Sequence, residues 1–169
     1  MPDPIGVVPF HALVIHAIVV IGPVAALFAA AYAVQPGRWP ALRLPTLILA
    51  ILAGAFAAVS DLTGLTLRDD LMRGVDPSRP DVAAALAQVH AHYADGDNLM
   101  VVSLLFTLVV LVALWRWLPS RRAEVRGAGA RTRIAAAGVI VIGAAMSAQV
   151  AITAYSGSAA VWARHTLGG

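Results

Sequence analysis

Four long stretches of the chain carry almost no charge, and each is flanked by arginine, proline or acidic residues. They cover about residues 10–34, 45–65, 98–117 and 134–155. Each holds, or nearly holds, the roughly 20 apolar residues that a helix rising ~1.5 Å per residue needs to cross a bilayer. Pro23 inside the first stretch predicts a kink, and Pro45 suits the first turn of the second. Between the second and third stretches the pattern changes. After Pro80 and Asp81, the run DVAAALAQVHAHY places Val82, Leu86, Val89 and Tyr93 along one helical face. This predicts an amphipathic helix that lies on the outer surface or extends the third span. Asp95-Gly96-Asp97-Asn98 then reads as a helix break and cap. In the fourth stretch Gly143, Ser147 and Ala151 recur at i, i+4, a spacing that lets helices approach closely. No low-complexity segment and no clear internal repeat stand out. The predicted fold is all-α. It is an integral-membrane antiparallel four-helix bundle with a short extracytoplasmic amphipathic helix, in a single transmembrane domain over 1–169.

Composition supports the bilayer. Sixty per cent of residues are apolar and 12% are charged, against about 25% charged in a soluble domain. The basic isoelectric point, about 10.2, comes from arginines that mostly flank the apolar runs, so nucleic acid is not expected as a partner. The chain has no cysteine, which excludes thiolate metal sites and disulfides. The start, Met-Pro-Asp-Pro, lacks the basic region of a cleaved signal peptide.

Charge also orients the spans. The 35–44 loop holds Arg38 and Arg43, and the stretch from Arg116 to Arg133 holds six arginines with one acid, Glu124. The positive-inside rule places both in the cytoplasm, with Trp39, Trp115 and Trp117 at the boundary. Both termini and the 66–97 connection then lie outside.

Helical rise assigns each polar residue a height above the cytoplasmic end. His16 lies about 27 Å up, Asp61 about 25 Å, Gln149 about 22 Å and Asn98 about 28 Å. Each of the four spans thus offers a polar group to one layer just inside the outer edge of the core, which Tyr155 supports from the outer level. His11 lies about 7 Å further out, with His90 and His92. Five residues separate His11 from His16, so they point about 140° apart and serve different tiers. His16 is expected to meet Asp61, a contact that alone could serve simply to fix helix register.

Other chemistry is thin. Asp95-Gly96-Asp97-Asn98 lacks the remaining acids of a calcium loop. No nucleophile elbow, phosphate loop or paired-carboxylate hydrolase pattern occurs, and the chain is not expected to act as an enzyme by itself. The first run, PFHALVIHAIVVIGPVAAL, resembles the first helix of the bacterial membrane proteins grouped as domain of unknown function 2231. ILAGAFAAVSDLTGL is similar to that family's small-residue helix ending in an acid, and TAYSGSAAVW to its Ser-Gly-Ala…Val-Trp ending. The resemblance puts the family's histidine pair on His11 and His16 and its acid on Asp61. The third-helix histidine falls on His90 or His92, and Tyr155 stands where a polar residue often precedes the Ser-Gly. The resemblance also implies a bacterial plasma membrane and, through members joined to Rieske-type iron–sulfur domains, a redox setting.

Three functions compete. The first is a redox-linked protein holding haem b or a transition metal near the extracytoplasmic face. Its ligands would come from His11, His16, His90 and His92, with His11 and His92 as the metal pair, since imidazole suits Fe, Cu and Zn. Arg68, Arg73 or Arg79 would meet haem propionates. The second is a cofactor-free accessory subunit of a larger, respiratory-type complex, packing through faces such as Gly143–Ser147–Ala151 against other membrane subunits. The third is a proton or solute transport element built on Asp61, which four helices could enclose only as a homo-oligomer.

Overall fold

The computed structural model describes residues 7–36, 38–72, 78–118 and 129–165, with side chains except at 7–9, 70–72, 81 and 161–165. Four helices carry nearly all of it: α1 (Val7–Val34), α2 (Arg43–Met72), α3 (Pro80–Arg116) and α4 (Ala130–His165). A 3-10 turn, Pro40–Leu42, leads into α2. No strand occurs among the described residues. All four helices are long and apolar enough to cross a membrane.

The apolar stretches become helices because nothing within them ends one. Pro23 stays inside α1. Pro80 opens α3 at a position where its missing N–H is not needed. The run from Pro80 to Tyr93 takes the extension: α3 continues through it for 37 residues without a break. Asp95-Gly96-Asp97-Asn98 is therefore neither break nor cap, but mid-helix. α2 and α4 likewise outrun the predicted 45–65 and 134–155. At ~1.5 Å per residue α3 is about 55 Å long, well beyond the ~30 Å hydrocarbon core, so it projects past the bilayer.

α1 packs against α2 and α4, and α3 against the same two. The helices thus form a ring, with α1 and α3 on one diagonal and α2 and α4 on the other. α1 and α3 run from an end that carries His11 and His92 to an end that carries Arg43 and Arg116; α2 and α4 return. These are called the histidine end and the arginine end below.

Lipid offers no hydrophobic drive for helices to associate, so close packing must hold them. The interior is accordingly small on α1 and α2, where Ala25, Ala29, Ala50, Ala53 and Ala57 are buried, and bulkier opposite, at Phe106, Val110 and Met146. Glycines set the closest approaches. A methyl on Gly22 would meet Val150 at 3.2 Å, and one on Gly143 would meet Ala26 at 3.3 Å. Gly143 is thus used inside the bundle, where α4 meets α1. Ser147 bonds back to the Gly143 carbonyl (2.9 Å) and Ala151 is exposed, so the three do not form one outward packing face. Apolar side chains cover the outside instead. Leu13, Val20, Leu27 and Val34 form an exposed stripe along α1, and Ile134, Val141 and Tyr155 another along α4. Such a surface belongs against lipid.

Candidate functional site

His11 and His92 project from the diagonal pair α1 and α3 at the histidine end, close enough to interact electrostatically. Each ring rests on the helix that follows it. His11 Nδ1 lies 2.8 Å from Thr63 Oγ1 on α2. The Thr63 hydroxyl proton goes to the carbonyl of Val59 or Ser60, each 3.0 Å away. Thr63 Oγ1 therefore accepts, and His11 Nδ1–H donates. The same logic holds for His92. Its Nδ1 lies 3.2 Å from Ser156 Oγ on α4, and that hydroxyl donates to the Thr153 carbonyl at 3.2 Å. With the hydroxyl protons on these carbonyls, both imidazoles take the Nδ1–H tautomer, in which Nε2 carries the lone pair that accepts or ligates. Metal-bound histidines are usually oriented in this way, with the non-ligating ring N–H tied to an acceptor.

Glycine makes room for both rings. A methyl on Gly64 would lie 3.3 Å from His11 Cε1. One on Gly157 would lie 2.9 Å from His92 Cε1, closer than real side chains approach, and 3.4 Å from its Nε2. Both rings are part-buried.

The other expected site residues scatter. His16 is exposed, and its Nδ1 bonds the Ala12 carbonyl of its own helix at 2.6 Å. The expected His16–Asp61 pair does not form. Asp61 instead lies near Asp97 of α3, beside Tyr93 and Arg68. The Arg68 guanidinium stacks 4.7 Å from the centre of the Tyr93 ring. His90, Asn98 and Tyr155 are exposed, Tyr155 at 78%. Gln149 does face inward: its Nε2 donates to the Asp95 carbonyl at 3.1 Å, which also receives Thr153 Oγ1 at 3.1 Å. These two side chains tie α4 to α3 just inward of His92. The one-level polar layer thus gives way to two histidine cradles, the Gln149–Thr153 clasp and the Asp61–Asp97 pair on the α2–α3 seam. Arg73, the 119–128 arginines and the His165 side chain lie outside the described residues.

Sequence reasoning passed over Thr63, Gly64 and the Asp97 contact, and met Ser156 and Gly157 as the Ser-Gly of the chain's ending without seeing the cradle they make. The signal for both cradles was present, because a hydroxyl residue directly precedes glycine in both Ser60-Asp61-Leu62-Thr63-Gly64 and Thr153-Ala154-Tyr155-Ser156-Gly157.

Among the described residues, no group of three or more His, Cys, Asp or Glu side chains could hold a metal ion. Two imidazoles without a third protein ligand are a poor cage for a bare ion. No curated protein and no solved structure matches the chain. The family model of the predicted membrane proteins grouped as DUF2231 matches residues 7–168, and the chain belongs to that family.

Proposed function

We propose that this is a membrane redox protein that holds haem b between His11 and His92 at its extracytoplasmic face. One observation carries the proposal: two imidazoles on diagonal helices, each anchored through Nδ1 to a hydroxyl of the helix that follows it. Gly64 and Gly157 keep the backbone clear of both rings. His11 and His92 would hold the haem, which would supply one-electron transfer. Arg68 and Arg79 are described cations on the same side for a propionate, although the Arg68 guanidinium already stacks on Tyr93.

The test is spectroscopic. Protein produced with ample haem and purified in detergent should show a Soret band, and dithionite should sharpen an α band. His11→Ala and His92→Ala should each strip the haem, while His16→Ala and His90→Ala, which change exposed rings, should retain it. A colourless wild-type protein would sink the proposal.

The extracytoplasmic placement has its own support. Arg38, Arg43, Arg116, Arg131 and Arg133 gather at the arginine end, together with exposed Trp39, Trp115 and Trp117. That is the signature of a cytoplasmic boundary. In intact cells, Ala41→Cys should be shielded from a membrane-impermeant thiol reagent and Ala84→Cys should react. The opposite labelling pattern would put the histidines on the cytoplasmic side.

A further inference from the structure

We propose that the chain is one helical hairpin used twice, and that Thr63 and Ser156 are equivalent positioning residues holding His11 and His92 across the quasi-two-fold axis between the copies. What the rings hold rests on the haem proposal above; the pairing of the cradles does not.

Two independent registers support it. Laying His92 on His11 places Leu99, Phe106, Val110 and Ala113 of α3 on Ile18, Ala25, Ala29 and Tyr32 of α1, and all eight are buried. Ser103 falls on Gly22, both buried as well. Val14, which falls on half-buried Asp95, departs from the pattern. Laying Gly157 on Gly64 places Val139, Gly143, Met146 and Val150 of α4 on Thr46, Ala50, Ala53 and Ala57 of α2, again all buried. The alignments are fixed by the cradle residues alone, yet they reproduce the burial pattern some 20 residues inward, about 30 Å along the helices.

The cradles then match group for group. Thr63 and Ser156 each receive a histidine Nδ1–H and each donate to a carbonyl one turn back. Those carbonyls belong to Ser60 and Thr153, and each also faces its own imidazole. Gly64 and Gly157 follow directly and lie against the Cε1 edges. The ring order, with α1 opposite α3 and α2 opposite α4, is the order that two hairpins related by an axis along the bundle must have. Parallel repeats about an axis along the membrane normal are a known plan for membrane proteins. The copies differ beside the cradles. Asp61 and Asp97 lie near each other on the α2–α3 seam, whereas the matching places on the α1–α4 seam hold Ala154 and His16.

Ring-nitrogen NMR of the full-length protein in detergent, free of haem and metal, tests the pairing directly. His11 and His92 should both show the Nδ1–H tautomer. Thr63→Val should perturb the His11 nitrogens and leave those of His92, Ser156→Ala should do the reverse, and Thr63→Ser should restore the His11 signals. With haem b added, Thr63→Val and Ser156→Ala should each weaken binding about 10- to 100-fold, the usual effect of removing an outer-shell partner. If the rings respond as expected but wild-type protein binds no haem, the pairing stands and the haem proposal fails. If haem binds but the two substitutions act on one histidine only, or on neither, the pairing is overturned.

Discussion

Replacing Gly54 with alanine is expected to loosen α2 from α3 and lower the stability of the whole bundle. The new methyl would sit 2.6 Å from Thr107 Oγ1 and 3.5 Å from Thr107 Cβ. Thr107 cannot simply rotate away. A helical Thr has two χ1 positions, but the one it takes here makes the 2.7 Å bond to the Ala50 carbonyl that joins the two helices. The same hydroxyl also bonds back to Ser103 at 2.9 Å. Either the bond is lost or the helices move apart. Overpacking of this kind costs about 1–3 kcal/mol, and a lost interhelical bond in a membrane adds about 0.6 kcal/mol. Unfolding of detergent-solubilised protein in a dodecyl sulfate titration should register the loss. Gly138→Ala is the control, since a methyl there meets nothing within 4 Å. Gly54→Ala combined with Thr107→Ala should be milder than the sum of the two singles, because the clash needs both groups. Equal behaviour of Gly54→Ala and Gly138→Ala would count against the close approach.

Spans and ends were legible in the sequence because both depend on one-dimensional quantities, the length of apolar runs and the placement of arginine. Pairing was not legible from heights alone. His16 and Asp61 share a level, but a shared level does not fix the direction in which a side chain points. Direction was available from the residues a whole number of turns away. His11 is followed at i+7 and i+14 by Ile18 and Ala25, and His92 by Leu99 and Phe106, all buried. His90 is followed at i+14 by exposed Leu104. The two inward histidines therefore sit on the same stripe as the core, and His90 does not. Asp95-Gly96-Asp97-Asn98 misled for a different reason. A glycine inside a helix costs only about 1 kcal/mol, and none of the four residues is a proline. The core contacts of Leu99 just beyond, with the Gln149 and Thr153 bonds to the Asp95 carbonyl, favour continuing the helix. The repeat stayed hidden because the copies share hydroxyl, glycine and histidine positions while their apolar residues differ in size, as Ala25 and Phe106 do. Burial, rather than residue identity, is what the copies conserve between them.

Arg43 holds the arginine end together, and its loss should be the second large effect. It stands at the first residue of α2, and its guanidinium reaches across to the last turn of α3. Nη2 donates to the Leu114 carbonyl and Nη1 to the Leu118 carbonyl at 3.3 Å, with Tyr32 Oη of α1 at 3.5 Å. The last carbonyls of a helix have no intrahelical donor. Here the Trp117 and Leu118 amides both turn to the Ala113 carbonyl, at 3.1 and 2.8 Å, which leaves Leu114 to the arginine. A cation at a helix C-terminus is also favoured by the helix dipole. One side chain thus closes three helices at the end away from the histidines. Arg43→Gln should lower stability by about 1.5–3 kcal/mol, the usual worth of hydrogen bonds made by a charged group. Arg43→Lys should recover little of it, because an ammonium cannot reproduce the planar fork that serves both carbonyls. Arg38→Gln supplies the comparison. Arg38 also carries one positive charge at the same end, but it is exposed and stacks 5.8 Å from the centre of the Trp39 ring. If the fork matters and not merely the charge, the Arg38 change should leave the unfolding midpoint almost unmoved while the Arg43 change shifts it. Equal shifts for the two would mean that Arg43 acts only as a boundary charge.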